Sequence, residues 1–186
     1  MNNQPKSPRD TQTTITELMV PAYANFGGKI HGGILLSLMD KVAYACATKH
    51  CGMYCVTVSV DNVDFKQPVE VGDLVSMDAR INYVGRTSLV VGIRVIAENV
   101  KVGTSKHTNT SYFTMVAKDD DGNPGIVPEL ILEDDIDVRR FMEAIFRKYQ
   151  KSYFRENIME IKKNFVLKNE IKKLSEERCI IRLRSN

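Results

Sequence analysis

The stretch that decides the fold runs from Asn25 to Asp40, NFGGKIHGGILLSLMD. It opens with two glycine pairs, Gly27-Gly28 and Gly32-Gly33, and closes with an aspartate directly after Leu38 and Met39. Glycines just ahead of a helix cost backbone entropy and mark places where another group comes close to the main chain. Downstream, Leu35, Leu36, Met39, Val42, Ala43 and Cys46 recur at helical spacing, which predicts a helix from about Gly32 to about Thr48. Its apolar stripe is wide enough to require cover on most sides.

The segments on either side supply that cover. Thr14 to Met19 reads as a short strand. In YCVTVSVD, Val56, Val58 and Val60 alternate with Thr57, Ser59 and Asp61, as in a strand. Leu74–Val84, with Val75, Met77, Ala79, Ile81 and Tyr83 alternating, Ser88–Ala97 and Lys106–Lys118 read as further strands, separated by turns at Gly85–Thr87 and Lys101–Thr104. Turns this short join antiparallel neighbours, because a parallel crossover needs about a dozen residues. The expected class is therefore α+β, a curved antiparallel sheet wrapped around one long helix.

Beyond Pro128 the pattern changes. Acidic residues in ILEDDID predict a helix start near Asp135 or Asp137, followed by an apolar stripe from Val138 through Tyr149 to Phe165. The expected organisation is a disordered lead over 1–12, a main domain over 13–130 and an amphipathic helical extension over 131–186. That extension is expected to dock on its own core or on a neighbouring subunit rather than on a membrane, since acidic residues interrupt its lysines.

Composition excludes several classes. No apolar run approaches the roughly 18 residues of a membrane span, and the first residues lack the apolar centre of a secretory signal. A cytoplasmic setting with reduced thiols is expected for Cys46, Cys51, Cys55 and Cys179. Cys51 and Cys55 have no second Cys/His pair nearby to complete a zinc site, so no metal is expected. The net charge of +3 resides in the tail, where 14 Lys/Arg meet 11 Asp/Glu from Glu129 onward. A neutral main domain with a mildly basic tail lacks the dense basic patch of a nucleic-acid binder.

Chemistry concentrates in the opening stretch. A helix N-terminus presents unpaired N–H groups and partial positive charge. With no side chains at Gly32 and Gly33, a ligand oxygen could approach those amides, as a developing oxyanion requires. A tight loop that needs glycine only for its backbone angles is the competing reading. Asp40 lies eight residues past Gly32, about 12 Å along the axis, on the same helix face as Gly33, Leu36 and Ser37. It cannot easily serve a group held at its own helix start. It either faces solvent or serves a site built with another subunit.

The block ANFGGKIHGGILLSLMD resembles the loop and helix of hotdog-fold acyl-CoA thioesterases of the bacterial and brain cytosolic types. The resemblance continues through CVTVSVDNVDFKQPVEVGDLV, INYVGRTSLVVGIRV and TSYFTMVAKDDDGNPGIVPEL, covering roughly residues 13 to 130. It implies a hotdog fold that pairs into dimers, or trimers of dimers, with sites at the dimer interface. It further implies hydrolysis of acyl-CoA to free fatty acid and CoA, with no metal or organic cofactor. The family's loop asparagine matches Asn25, implied to orient the attacking water or polarise the carbonyl, and its catalytic helix acid matches Asp40, implied to activate that water or to attack the carbonyl directly. These come from different subunits, with the Gly32 or Gly33 amide holding the oxyanion. Arg86, Thr87 and Ser88 are then expected near the coenzyme phosphates, Thr57 and Ser59 along the pantetheine channel. His31 is expected to contact ligand or support structure. The alternatives are a hydratase or dehydratase with His31 as base, and a non-catalytic CoA- or nucleotide-sensing module.

Overall fold

The computed structural model describes residues 4–183. The chain divides into two compact units, 1–145 and 146–186. The first contains α1 (Pro8–Thr11), β1 (Thr13–Leu18), α2 (Gly32–Cys51), β2 (Tyr54–Val60), β3 (Leu74–Val84), β4 (Ser88–Asn99) and β5 (Thr104–Lys118). α3 (Asp135–Lys163) starts in it, and α4 (Leu167–Lys173) belongs to the second unit.

The five strands form one antiparallel sheet in the order β1-β3-β4-β5-β2. Alternate residues of β3 and β4, such as Val75, Met77 and Ala79 or Val91, Ile93 and Val95, are fully buried against α2. The helix contributes Leu35, Leu38, Met39, Val42, Ala43, Cys46 and Ala47 to the same core. Gly52, with φ +66°, then ends α2 in the left-handed conformation that glycine adopts without steric cost. The long helix, the antiparallel sheet and the α+β class follow the pattern read from the chain.

Three expectations change. The lead over 1–12 is not loose where it is described, from Gln4 on; residues 1–3 lie outside the described part. Ser7 caps α1 in a capping box with Asp10. Lys6 donates to the carbonyls of Lys49 (2.9 Å) and His50 (2.8 Å), closing the C-terminus of α2. In β3 a bulge between Ile81 and Tyr83 breaks the alternation. Ile81 stays in the core, while Tyr83 packs against Phe141 at 4.9 Å between ring centroids. In β2, Cys55 is buried while Val58 and Val60 are exposed, and a bulge falls between Thr57 and Ser59. An edge strand has a neighbour on one side only, so its alternation does not disclose which residues the chain itself buries.

Candidate active site

α2 begins at an unusual cap. His31 Nδ1 accepts the Gly33 N–H at 3.1 Å, and the His31 carbonyl accepts from Ile34 at 2.9 Å. A ring nitrogen that accepts an N–H is unprotonated, so the neutral ring carries its proton on Nε2. His31 therefore closes the helix start and has no free lone pair with which to act as a base. It also occupies the Gly33 amide. Among the described residues, the Gly32 N–H is the one of the pair left without a partner.

The two readings of the glycine pair now separate. Neither Gly32 nor Gly33 has a positive φ. What they supply is space: a Cβ on Gly32 would lie 3.3 Å from the Phe65 ring, and one on Gly33 3.3 Å from His31 Nδ1. Gly28 is different, because its φ of +74° does require glycine in the preceding loop.

Asn25 is held by that loop. Its Oδ1 accepts from the backbone N–H of Gly27 (2.9 Å) and Lys29 (3.2 Å), which fixes the amide orientation. The NH2 end is left to donate outward. The Ile30 N–H to the Val69 carbonyl (2.9 Å) and the Lys29–Glu70 ion pair (2.6 Å) anchor the loop beside the start of β3. Phe26, at the loop tip, is fully exposed.

Asp40 is exposed on α2, and its Oδ1 accepts from Thr57 Oγ1 at 2.6 Å. The pair lines a shallow cleft of about 330 Å³ with Lys41, Tyr44, Tyr54, Cys55 and Val56. The hydroxyl holds one carboxylate oxygen and leaves the other to accept a proton. The pairing across 17 residues has no local sequence signal; alternation placed Thr57 on the polar side of β2 and could go no further. The neighbouring thiols are free: burial pushes Cys46 up to about 12, and a hydrogen bond shared between Cys51 and Cys55 raises the first and lowers the second.

The other expected binding residues fall at the Asp40 end of the sheet. Arg86 and Thr87 form the β3–β4 turn, their carbonyls accepting from Val127 (2.9 Å) and Ala117 (3.0 Å), and Ser88 opens β4. Thr57 pairs with Met115 and Met115 with Leu89, so Leu89, just past this turn, is two strands from Thr57, about 10 Å. Ser59 lies past the β2 bulge, opposite Thr114. Asn25 and its loop lie at the far end of β3, whose 11 residues span roughly 35 Å. One chain thus brings together Asp40 and Thr57, and separately Asn25, His31 and Gly32.

A curved antiparallel sheet around one central helix, with an opened helix start and a helix-borne carboxylate, defines a hotdog domain. The Thioesterase superfamily model matches residues 27–104. The protein VdlD of Helicobacter pylori is 45% identical over 142 residues, covering 76% of this chain and 81% of VdlD. The uncharacterized acyl-CoA thioester hydrolase YkhA of Bacillus subtilis is 30% identical over 143 residues, covering 77% and 83%. Among solved structures, an apo-hexameric acyl-CoA thioesterase superposes with a TM-score of 0.79 at 34% identity, covering 82% of this chain and 97% of that one. An acyl-CoA hydrolase from Staphylococcus aureus, solved with butyryl coenzyme A, coenzyme A and coenzyme A disulfide, gives 0.75 at 29% identity, covering 92% and 99%. Variants of that enzyme with an aspartate, an asparagine or a threonine replaced by alanine have also been solved. The chain belongs to the hotdog-fold acyl-CoA thioesterases, a family of thioester hydrolases.

Proposed function

We propose that this protein hydrolyses acyl-CoA to a free fatty acid and CoA in the cytoplasm, at a site shared by two subunits, without a metal or organic cofactor. The observation that carries the reading is the Thr57–Asp40 hydrogen bond, which orients a solvent-facing carboxylate with one oxygen free. The asparagine, aspartate and threonine replaced in the Staphylococcus aureus variants are separated by the same chain intervals as Asn25, Asp40 and Thr57. That correspondence supports giving the three a common task.

The free oxygen of Asp40 takes a proton from water as the water attacks the thioester carbonyl. The Asn25 NH2 group and the Gly32 N–H of the facing subunit donate to the carbonyl oxygen as it becomes an oxyanion. As the tetrahedral intermediate collapses, Asp40 returns that proton to the departing sulfur, so CoA thiol and the carboxylic acid leave and the Asp40 carboxylate is restored. Arg86, Thr87, Ser88 and Ser59 bind the coenzyme arm. The second subunit is another copy of this chain, paired along the open edge of β2, where Val58 and Val60 are exposed. The Nδ1 acceptor role of His31 speaks against hydration chemistry with that ring as base.

Asp40→Asn retains an oxygen to accept from Thr57, so the fold and coenzyme binding persist. Loss of a general base lowers kcat by about 10²- to 10⁴-fold. Hydrolysis of butyryl-CoA within threefold of wild type would overturn the mechanism, and hydration of crotonyl-CoA by the native protein would replace it with the hydratase reading.

A further inference from the structure

A second polar cleft lies on the face of the sheet turned away from α2. In β3, Met77, Ala79 and Ile81 are buried in the core, so Asp78 and Arg80 lie on the opposite face. The first turns of α3 pack over that face through Phe141 on Tyr83 and an ion pair between Arg80 and Asp137, whose side chain is 1% exposed. Between sheet and helix is a cleft of about 420 Å³, into which Arg80, Arg94, Arg139 and Arg140 converge.

The charges there are incompletely matched. Four arginines there meet three carboxylates: Arg80 pairs with Asp137, Arg139 with Glu143, and Asp78, which accepts from Thr14 Oγ1 at 2.7 Å, is the cross-strand neighbour of Arg94. Arg94 and Arg140 have no ion-pair partner within 4 Å among the described residues, and Arg80 Nε is buried without a hydrogen bond. Burial and the charges of Arg80 and Arg139 hold the Arg140 guanidinium below its ordinary value, against the opposing pull of the Asp137 carboxylate. The cleft also has a built floor. Asn82, 6% exposed, lies over Gly92, where a Cβ would come within 2.3 Å of Asn82 Nδ2. Glycine inside a strand weakens it and commonly marks a close approach. Here the approach belongs to an amide that lines the cleft.

We infer that this cleft binds a pyrophosphate unit, held by Arg94 and Arg140 with the Asn82 amide beneath it. Planar guanidinium forks match phosphate oxygens two at a time, which a single-point cation does not. The volume lies within the roughly 300–1,000 Å³ of small-ligand sites, and so accommodates linked phosphates with part of an organic group. Two sources share this chemistry: the diphosphate of a coenzyme A molecule and a free oligophosphate.

Titration calorimetry of the full chain with sodium pyrophosphate at low and physiological salt tests the inference. Binding is expected to weaken at least about tenfold in Arg94→Gln and in Arg140→Gln, and with added salt. Arg94 is exposed, so Arg94→Gln keeps the test valid if Arg140→Gln fails to fold. Absence of heat at millimolar pyrophosphate would overturn the site. So would unchanged affinity in Arg94→Gln, or loss of binding only in Arg86→Gln, which would place the anion in the substrate's site. If CoA displaces pyrophosphate in an Arg94-dependent way, the coenzyme is the occupant. If a nucleoside triphosphate displaces it and CoA does not, a free oligophosphate is the occupant. Either result supports the cleft.

Discussion

The proposed division of labour between subunits can be tested by mixing two inactive variants. Asn25→Ala removes the carbonyl donor and Asp40→Asn the base, and each homo-oligomer should be nearly inactive. Gly32 and Asp40 of one chain lie about 12 Å apart along the helix axis, farther than an aspartate and a backbone amide can span to meet one carbonyl carbon. The Asn25 loop lies beside that helix start, anchored to Val69 and Glu70. In a symmetric dimer each site takes Asn25 from one chain and Asp40 from the other. A mixed dimer therefore carries one site with both substitutions and one with neither.

Random assortment makes about half of the dimers mixed, with one working site of two in each. The refolded equimolar mixture should recover roughly a quarter of wild-type kcat per chain. Release of the CoA thiol, followed with a thiol-reactive chromophore, measures it. Cys179 is exposed and contributes a constant baseline reaction that must be subtracted. If Asn25 and Asp40 of the same chain worked together, mixed dimers would hold two dead sites and the mixture would stay inactive. Recovery below about a twentieth of wild type, with subunit exchange verified by mass, would refute the shared site.

Thr57→Val deletes a hydrogen bond to a charged group, and because the pair is exposed the lower end of the usual range applies. kcat should fall about tenfold, with Thr57→Ser restoring it. Stability should also depend on His50, whose ring is fully buried, donates to the Pro128 carbonyl at 3.0 Å and is held below its ordinary pKa chiefly by burial. The neutral form is favoured in the folded state, so the stabilisation is complete above about pH 6.5 and is lost as pH falls below that value. Denaturation midpoints between pH 7.5 and 5 check the sign, and a midpoint that rises on acidification would contradict it. Ser37, one residue past the midpoint between Gly32 and Asp40 on the exposed face of α2, should meet its own copy at the dimer axis. Ser37→Cys in a Cys179→Ser background should then cross-link to a covalent dimer under mild oxidation, whereas a persistently monomeric band on a non-reducing gel would place the axis elsewhere.

The elements with strong periodicity were legible in the chain. The start of α2 at Gly32 and the bounds of β3 at Leu74 and Val84 agree with the pattern, because the core face of each is set by neighbours within the same domain. The turn in the lead, where Ser7 and Asp10 close a capping box, is four residues long and too short to leave a periodic signal. The exposed β2 valines were ambiguous because alternation reports which residues share a face, not what covers it. The site was legible in its residue types but not in its grouping. Nothing local to Asp40 announces Thr57, and nothing near Gly33 announces that His31 would occupy its amide.

Three features make little sense in an isolated chain, and one arrangement explains them together. Val58 and Val60 are exposed along an open strand edge, Phe26 projects fully from the Asn25 loop, and the Asn25 and Asp40 of the proposed mechanism are set apart, one beside the start of α2 and one about two turns along it. A single exposed valine is ordinary, but a hydrophobic row on an unpaired edge invites uncontrolled pairing. Antiparallel pairing of β2 with its own copy satisfies the edge, and the same two-fold runs the two α2 helices in opposite directions. An axis passing beside Leu36 and Ser37 carries Gly32 of one helix opposite Asp40 of the other, since those positions are equidistant from it. Under the proposed mechanism, the separation between donor and base within one chain becomes, by that symmetry, the spacing that assembles two equivalent sites.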